Sequence, residues 1–210
     1  MIQSLCKIQV SCFKNFKYMK NICCPVTAIQ KKSFACISNN DEKSDTTQTW
    51  PKEAVACYNK LENLVHKHNW EKYNLHNWKG ESAGKHYGVY KDINIYQGSF
   101  FYSKTEKKAK AVITYGPYSE GFFGHVHGGA IATHHDEITG IVGSLLGTCV
   151  TANLNINYKS RLLIGQTTLY SGELEKVEGR KVYIKSKVTC PEEKTLYSEA
   201  TAILIMINNS

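Results

Sequence analysis

The sequence predicts an α+β fold in which a curved antiparallel sheet wraps around one long helix. Within about residues 128–146, Ile131, Ile138, Val142 and Leu145 share one face at helical spacing, as a core-facing helix requires. After residue 150, apolar and polar side chains alternate along successive segments that short turns connect. Strands joined by short turns pair antiparallel, so an apolar helix stripe and an apolar sheet face together predict a two-layer domain.

Length and composition limit the classes of protein that fit. The chain has 210 residues, enough for one ordinary domain and a tail, with 42% apolar and 21% charged residues. That mixture excludes wholesale disorder, collagen and coiled coil, and no run of about 18 apolar residues predicts a transmembrane helix. Residues 1–40 contain six Lys and no Asp or Glu, so residues 41–210 carry little net charge. No basic stripe marks the body, which argues against nucleic-acid binding.

Residues 1–40 predict a mitochondrial transit peptide. Leu5, Ile8 and Cys12 fall on one helical stripe and lysines project from the other side, which is typical of a basic amphipathic leader. The alternatives are a disordered basic tail and a helix lying on an anionic membrane surface. The predicted location is the mitochondrial matrix or inner membrane, with the cytoplasm as the alternative. Residues 41–49 are polar and predict a linker before a folded domain at 50–210.

Cysteine placement favours a reducing compartment. Five of the eight cysteines lie in residues 1–36, and the body keeps only Cys57, Cys149 and Cys190, widely spaced. No CxxC pair occurs, so neither a zinc ribbon nor a thioredoxin-type motif is predicted. Three scattered cysteines do not form a disulfide framework.

The folded body begins with another predicted helix, which extends the domain at its N-terminal side. Pro51 occupies its first turn, where proline is well tolerated. Its apolar stripe consists of Ala54, Tyr58, Leu61 and Val65. Residues 69–91 are rich in His, Asn, Trp and Gly and predict a long irregular connection, and residues 116–129 predict a Gly-rich loop.

The remaining pattern is that of a sheet. Strands are predicted at 93–103, 108–115, 150–159, 167–177, 181–189 and 195–207. In the strand 150–159, strict alternation places Thr151 and Tyr158 on opposite faces. A curved sheet of five or six such strands wrapped on one helix is the hotdog architecture.

The start of the long helix carries the candidate chemistry. Gly128 and Gly129 open this helix, where backbone N–H groups lack intrahelical partners and the helix dipole favours an oxyanion. Without a Cβ, these residues let a substrate carbonyl approach closely. Asp136, about two turns later, can activate water or attack an acyl carbon. An oxyanion donor and a carboxylate suffice for thioester hydrolysis, because a thiolate leaves readily.

Five segments carry a resemblance to a known family. They are GPYSEG (116–121), HVHGGAIAT (125–133) followed by Asp136, TANLNINYK (151–159), KVEGRK (176–181) and EKTLYSEAT (193–201). Residues 116–207 resemble the C-terminal domain of the acyl-coenzyme A thioesterase family of hotdog proteins, and most closely the thioesterase superfamily members 4 and 5. The resemblance implies hydrolysis of medium- and long-chain fatty acyl-coenzyme A, and mitochondrial targeting.

The resemblance also implies roles for individual residues. Asp136 would be the general base or nucleophile, and Gly128 with Gly129 would form the oxyanion hole. His127 would shape the loop and assist the thioester, and Thr151 would place a hydroxyl near the attacking water. In this family the site lies at a dimer interface, so a homodimer is implied, with a tetramer left open. No cofactor is implied beyond the coenzyme A of the substrate.

Coenzyme A binding is assigned by the same resemblance to Asn157, Lys159, Arg180 and Lys181. Lysine and arginine suit phosphate by charge and reach. The sequence departs from the family at two places. His134 and His135 precede Asp136 where relatives commonly have apolar residues, so one of them is expected to narrow or polarise the acyl channel. Residues 160–165 read SRLLIG without the Arg-Pro pair of relatives.

Two other classes of function compete with a thioesterase. His125, His127, His134, His135 and Asp136 are metal-ligand types, but their spacing matches neither HExxH nor a cupin, and adjacent histidines on a helix diverge by about 100°. The other alternative is a catalytically weak hotdog module that binds acyl-coenzyme A or acts as a scaffold. The carboxylate and both glycines are present, which favours the enzyme.

Overall fold

The computed structural model describes residues 50–73 and 95–207. The predicted transit peptide (1–40) and linker (41–49) lie outside the described residues, as does most of the predicted irregular connection at 69–91. Those assignments stay predictions. None of the helices in the two described ranges is long and apolar enough to cross a membrane.

The first helix, α1 (Lys52–Lys67), begins directly after Pro51, as predicted. The proline has φ −55°, which suits entry into a helix. Ala54, Tyr58 and Leu61 of the predicted stripe are buried, whereas Val65 is only half-buried. The stripe packs with Trp50, Trp70, Phe101, Val112 and Leu169, so α1 covers part of one face of the sheet.

Seven strands form one antiparallel sheet in the order β1-β2-β3-β5-β6-β7-β4. The strands are β1 (Trp70–Tyr73), β2 (Tyr96–Ser103), β3 (Lys108–Tyr115), β4 (Cys149–Tyr158), β5 (Thr167–Glu178), β6 (Lys181–Thr189) and β7 (Leu196–Met206). The predicted antiparallel hotdog-type sheet is confirmed, with one strand more than expected. β1 falls in the segment predicted as irregular, because four residues are too few to show an alternation.

The second helix, α2 (Gly128–Ser144), packs on the opposite face of the sheet from α1. Val112 of β3 contributes to the α1 cluster, and its neighbour Ile113 contributes to the α2 cluster. Of the predicted helix stripe, Ile131, Ile138 and Val142 are buried in that cluster. The approach is close, since a Cβ on Gly143 would lie 2.5 Å from the Leu204 side chain of β7.

A β-bulge near the start of β4 shifts its pairing register with β7. Thr151 lies opposite Leu204 and Asn153 lies opposite Ile203, so Ala152 is an extra residue without a partner on β7. The predicted strict alternation is therefore wrong at this point. Because Ala152 is an extra residue, Thr151 and Tyr158 lie opposite Leu204 and Ser198, which are an even number of positions apart on β7. Thr151 and Tyr158 therefore both point to the side of the sheet that faces α2. β4 is also an edge strand, paired only with β7 among the strands of the described ranges.

Candidate active site

Asp136 lies on an exposed part of α2, and its carboxylate is held by β4. The hydroxyl of Thr151 donates to Asp136 Oδ1 at 2.9 Å. The second carboxylate oxygen has no hydrogen-bond partner in the described part of the chain. The structure thus brings two of the predicted site residues, Asp136 and Thr151, into contact. The arrangement leaves an oriented carboxylate open to water or substrate.

The N-terminus of α2 offers one free donor rather than two. His127 is the N-cap residue, and its Nδ1 accepts a hydrogen bond from the N–H of Gly129 at 2.9 Å. The N–H of Gly128 has no hydrogen-bond partner within residues 50–73 and 95–207. Of the two predicted oxyanion donors, only Gly128 therefore has an N–H without a partner among the described residues. The N–H of Gly129 serves to hold the histidine.

The same contact fixes the tautomer of His127. Because Nδ1 accepts from a backbone N–H, the proton of the neutral imidazole lies on Nε2. The exposed ring thereby presents an Nε2–H donor on the residue that precedes Gly128. Two donors of this kind, one backbone and one side chain, suit a carbonyl oxygen that gains negative charge.

One chain does not bring the free donor and the carboxylate to the same atom. Gly128 and Asp136 are eight residues apart on one helix, which corresponds to about 12 Å along its axis. The carbonyl of one thioester must lie about 3 Å from the oxyanion donor and within reach of the carboxylate, either directly or through one water molecule. At this separation the two groups of a single chain do not act on the same carbonyl.

Within the chain, the predicted coenzyme A ligands lie away from the Gly128 N–H and from the Asp136 carboxylate. Asn157 is on the sheet face opposite α2, where it lines a cavity of about 580 Å³ together with Lys185, Lys187 and Glu199. Lys159 forms an ion pair with Glu199 on that face, at 2.8 Å.

Arg180 and Lys181 lie at the turn between β5 and β6. Arg180 donates from Nε to the carbonyl of Met206 at 3.2 Å, and Lys181 lies opposite Ile205 in the sheet. Met206 in turn lies opposite Cys149, whose thiol donates to the carbonyl of Gly143 at 3.5 Å. This places the turn near the C-terminal end of α2, far from Gly128.

His135 is a buried cross-link between α2 and the sheet. Its Nδ1 lies 2.7 Å from the Ser186 hydroxyl of β6, and its Nε2 lies 2.8 Å from the Ser198 hydroxyl of β7. Burial, reinforced by the adjacent His134, lowers the pKa of His135 to about 4, so the ring is neutral near pH 7. A neutral imidazole donates to one hydroxyl and accepts from the other, so both polar contacts are satisfied.

His134 and Glu137 form a second buried polar pair on the side of α2 that faces away from β4. Glu137 was not singled out from the sequence, since a glutamate beside an aspartate is an ordinary feature of helix surfaces. His134 Nε2 and Glu137 Oε2 are 3.7 Å apart, their side chains are 2% and 8% exposed, and both atoms lack a hydrogen bond. His134 Nδ1 lies 2.9 Å from the carbonyl of Ala130, which places its proton on Nδ1 and leaves Nε2 as an acceptor.

Burial, reinforced by the charge of Asp136, raises the pKa of the Glu137 carboxyl to about 8. Burial lowers the pKa of His134 to about 4, so near pH 7 a protonated carboxyl faces a neutral ring. Three tyrosines of the sheet, Tyr73, Tyr115 and Tyr170, also interact with Glu137, and burial raises the pKa of each hydroxyl. Because the pKa of the acid is raised and the pKa of the base is lowered, both members of the pair are uncharged near pH 7.

Glu137→Gln is expected to stabilise the protein increasingly as pH rises. The unfolded carboxyl ionises near pH 4.5 and the folded one near pH 8, so the wild type loses stability between these values and the variant does not. The difference in Tm should be near zero below pH 4.5 and largest near pH 8, at about 2–4 °C per kcal/mol. Thermal melts across this range measure it. Exposed Glu192→Gln should show no such trend, and a pH-independent difference would contradict the assignment.

The structure places two further features of the sequence. Phe122 and Phe123, in the loop just before α2, are 66% and 80% exposed. No group of three or more His, Cys, Asp or Glu side chains in the described ranges is arranged to hold a metal ion.

Tyr158 contacts the start of α2, although no pattern in the sequence assigns it a functional role. Its hydroxyl donates to the carbonyl of Gly128 at 2.8 Å. The feature of the sequence that could have indicated Tyr158 is its position as the last large residue of an alternating strand. In the structure, that strand ends near Gly128 and Gly129.

Comparison with known proteins shows the family of the chain. Residues 123–197 match the family model of the thioesterase superfamily. The chain is similar to acyl-coenzyme A thioesterase THEM4 of Xenopus laevis, with 31% identity over 172 residues that cover 76% of this chain and 78% of that protein. It is 39% identical to THEM4 of Mus musculus over 113 residues, which cover 54% of this chain and 49% of that protein. It is 28% identical to THEM5 of Homo sapiens over 108 residues, covering 51% and 44%. The matched region thus spans about half the length of the mammalian relatives.

Proposed function

The chain belongs to the acyl-coenzyme A thioesterase family represented by THEM4 and THEM5, and from this membership we propose that it hydrolyses medium- and long-chain fatty acyl-coenzyme A. The products are a free fatty acid and coenzyme A. The observation that carries the proposal is the exposed Asp136 carboxylate, oriented by Thr151 at 2.9 Å on the helix whose first N–H is free.

The chemistry assigned to these groups is acyl transfer to water. Asp136 accepts a proton from water as the water oxygen bonds to the thioester carbon, and the carbonyl oxygen becomes an oxyanion. The N–H of Gly128 stabilises that oxyanion, with the Nε2–H of His127 as a second donor. Collapse of the intermediate breaks the C–S bond and releases the thiolate, which takes up a proton. Direct attack by Asp136, through an anhydride that water then hydrolyses, uses the same groups.

A homodimer completes the site in this proposal. The separation of about 12 Å between Gly128 and Asp136 means that a second copy must supply one of the two groups. β4 is the surface that suits this pairing, because it is an edge strand of ten residues that carries Thr151 beside Asp136. Asn157, Lys159, Arg180 and Lys181 would then bind the nucleotide and phosphates of a coenzyme A held between copies.

Complementation between two inactive variants tests the shared site. Asp136→Asn keeps the oxyanion donor and Gly128→Pro keeps the carboxylate, so a mixed dimer contains one complete site if the groups come from different subunits. Coexpression should restore about a quarter of wild-type activity, since half of randomly formed dimers are mixed and each has one working site of two. Absence of any recovery in dimers that mass spectrometry shows to be mixed would place both groups in one chain.

The remaining proposals concern the cell rather than the reaction. We propose that the basic residues 1–40 direct the protein to mitochondria or hold it at a membrane surface, with the cytoplasm as the alternative. No cofactor is proposed. Import of a fusion of residues 1–49 into isolated mitochondria tests the targeting role.

Release of free thiol from a panel of acyl-coenzyme A chain lengths tests the activity itself. The full chain should release thiol from medium and long chains, and the length profile would show what the buried His134 and His135 do to the acyl channel. Tight binding of acyl-coenzyme A without thiol release would support the binding-module alternative and overturn the enzyme.

A further inference from the structure

We propose that Tyr158 is a positioning residue for the oxyanion hole, because its hydroxyl fixes the peptide that follows the free N–H of Gly128. The inference rests on the proposed thioesterase function. It concerns a side chain that neither the motif nor the family resemblance assigns.

The peptide between Gly128 and Gly129 is held at both of its polar ends. Its carbonyl accepts from the Tyr158 hydroxyl at 2.8 Å, and its N–H donates to His127 Nδ1 at 2.9 Å. The preceding peptide is held as well, because the carbonyl of His127 accepts from the N–H of Ala130 at 2.9 Å. Of the N–H groups of these two peptides, only that of Gly128, which belongs to the preceding peptide, has no hydrogen-bond partner in the described part of the chain and is left to bind a ligand.

A glycine at this position needs such restraints. Glycine explores more backbone conformations than any other residue, so a donor on Gly128 would otherwise lose its direction. The Tyr158 ring also lies against the glycine, since a Cβ there would be 3.4 Å from the hydroxyl oxygen. A donor that is already aimed when the oxyanion forms costs no reorganisation during the reaction.

β4 delivers both restraints of the site from one strand. Thr151 holds Asp136, and Tyr158 holds Gly128. Thr151 and Tyr158 are seven positions apart, so strict alternation would put them on opposite faces. The bulge at Ala152 places both on the side of α2. Burial raises the pKa of the Tyr158 hydroxyl, so it keeps its proton and remains a donor at neutral and mildly alkaline pH.

Tyr158→Phe in the full chain tests the role, because it removes the hydroxyl and keeps the ring. We expect kcat for thiol release to fall about 10- to 100-fold, with KM within about twofold of wild type. Affinity for a 2-oxoalkyl thioether analogue of acyl-coenzyme A, which cannot be hydrolysed, should be unchanged, and Tm should change little. Tyr118→Phe is the matched control, since Tyr118 is 72% exposed in the preceding loop.

A second readout follows the backbone without relying on turnover. With ¹⁵N-glycine labelling, hydrogen exchange of the Gly129 amide should accelerate in Tyr158→Phe, because the peptide loses one of its two restraints. Unchanged kcat, unchanged exchange, or a joint loss of kcat and analogue affinity would each overturn the positioning role. A wild type without turnover on any chain length would instead refute the proposed function, and this inference with it.

Discussion

Asp136→Asn should lower kcat for acyl-coenzyme A hydrolysis by about 100- to 10,000-fold, the range that a positioned general base contributes. The carboxamide has the same shape and can still accept the hydrogen bond from Thr151, so the geometry at 2.9 Å is preserved. It cannot take a proton from water or form an anhydride. Because Asp136 is exposed, folding should be unaffected.

Initial rates of thiol release and thermal melts on the same samples measure this result. Glu53→Gln, an exposed carboxylate on α1, is the control for loss of one negative charge and should leave the rate unchanged. An Asp136→Asn protein with wild-type kcat would leave the activity standing and remove the assigned mechanism.

Gly128→Pro should reduce kcat by at least about 100-fold, because it deletes the one free N–H at the start of α2. Proline is favoured at the first position of a helix, where its missing N–H breaks no intrahelical bond. His127 has φ −60° and ψ 133°, the extended conformation that a residue before proline adopts. The helix should therefore begin at the same residue in the variant.

Gly128→Ala distinguishes the effect of losing the N–H donor from the effect of filling the space at Gly128. Alanine keeps the N–H, and its Cβ would meet the Tyr158 hydroxyl at 3.4 Å, an ordinary to slightly tight contact. Its kcat should lie much closer to wild type than that of Gly128→Pro, with equal Tm for both variants. Equal losses in the two variants would show that space at Gly128, rather than its N–H, limits the reaction.

Regular periodicity made most of the fold predictable. The helix stripe through Ile131, Ile138 and Val142 and the alternation in six strands express burial on one face, which sequence spacing reports directly. The motif likewise predicted Asp136 and the helix start. Asp136 and the helix start lie on the same helix, so their relative positions depend only on a short segment of the sequence.

Features that depend on contacts between distant elements were not predictable in the same way. The extra residue Ala152 changes the sheet face on which Thr151 lies, and the alternation of side chains in β4 does not indicate this bulge. Whether Gly128 or Gly129 keeps a free N–H depends on the rotamer of His127. The raised pKa of Glu137 depends on burial against the sheet, which a helix-surface position does not reveal.

The buried link from His135 to Ser186 and Ser198 has a consequence for how this sequence can change over generations. Replacing the histidine alone with an apolar residue strands two hydroxyls in the core, and replacing either serine alone strands a ring nitrogen. Each such orphan costs about 1–3 kcal/mol, a large part of the margin by which a domain stays folded. A chain with three apolar residues at these positions has no such penalty. The three positions are therefore expected to change together, and a chain with three apolar residues there would reach this state only through a destabilised intermediate or a simultaneous change.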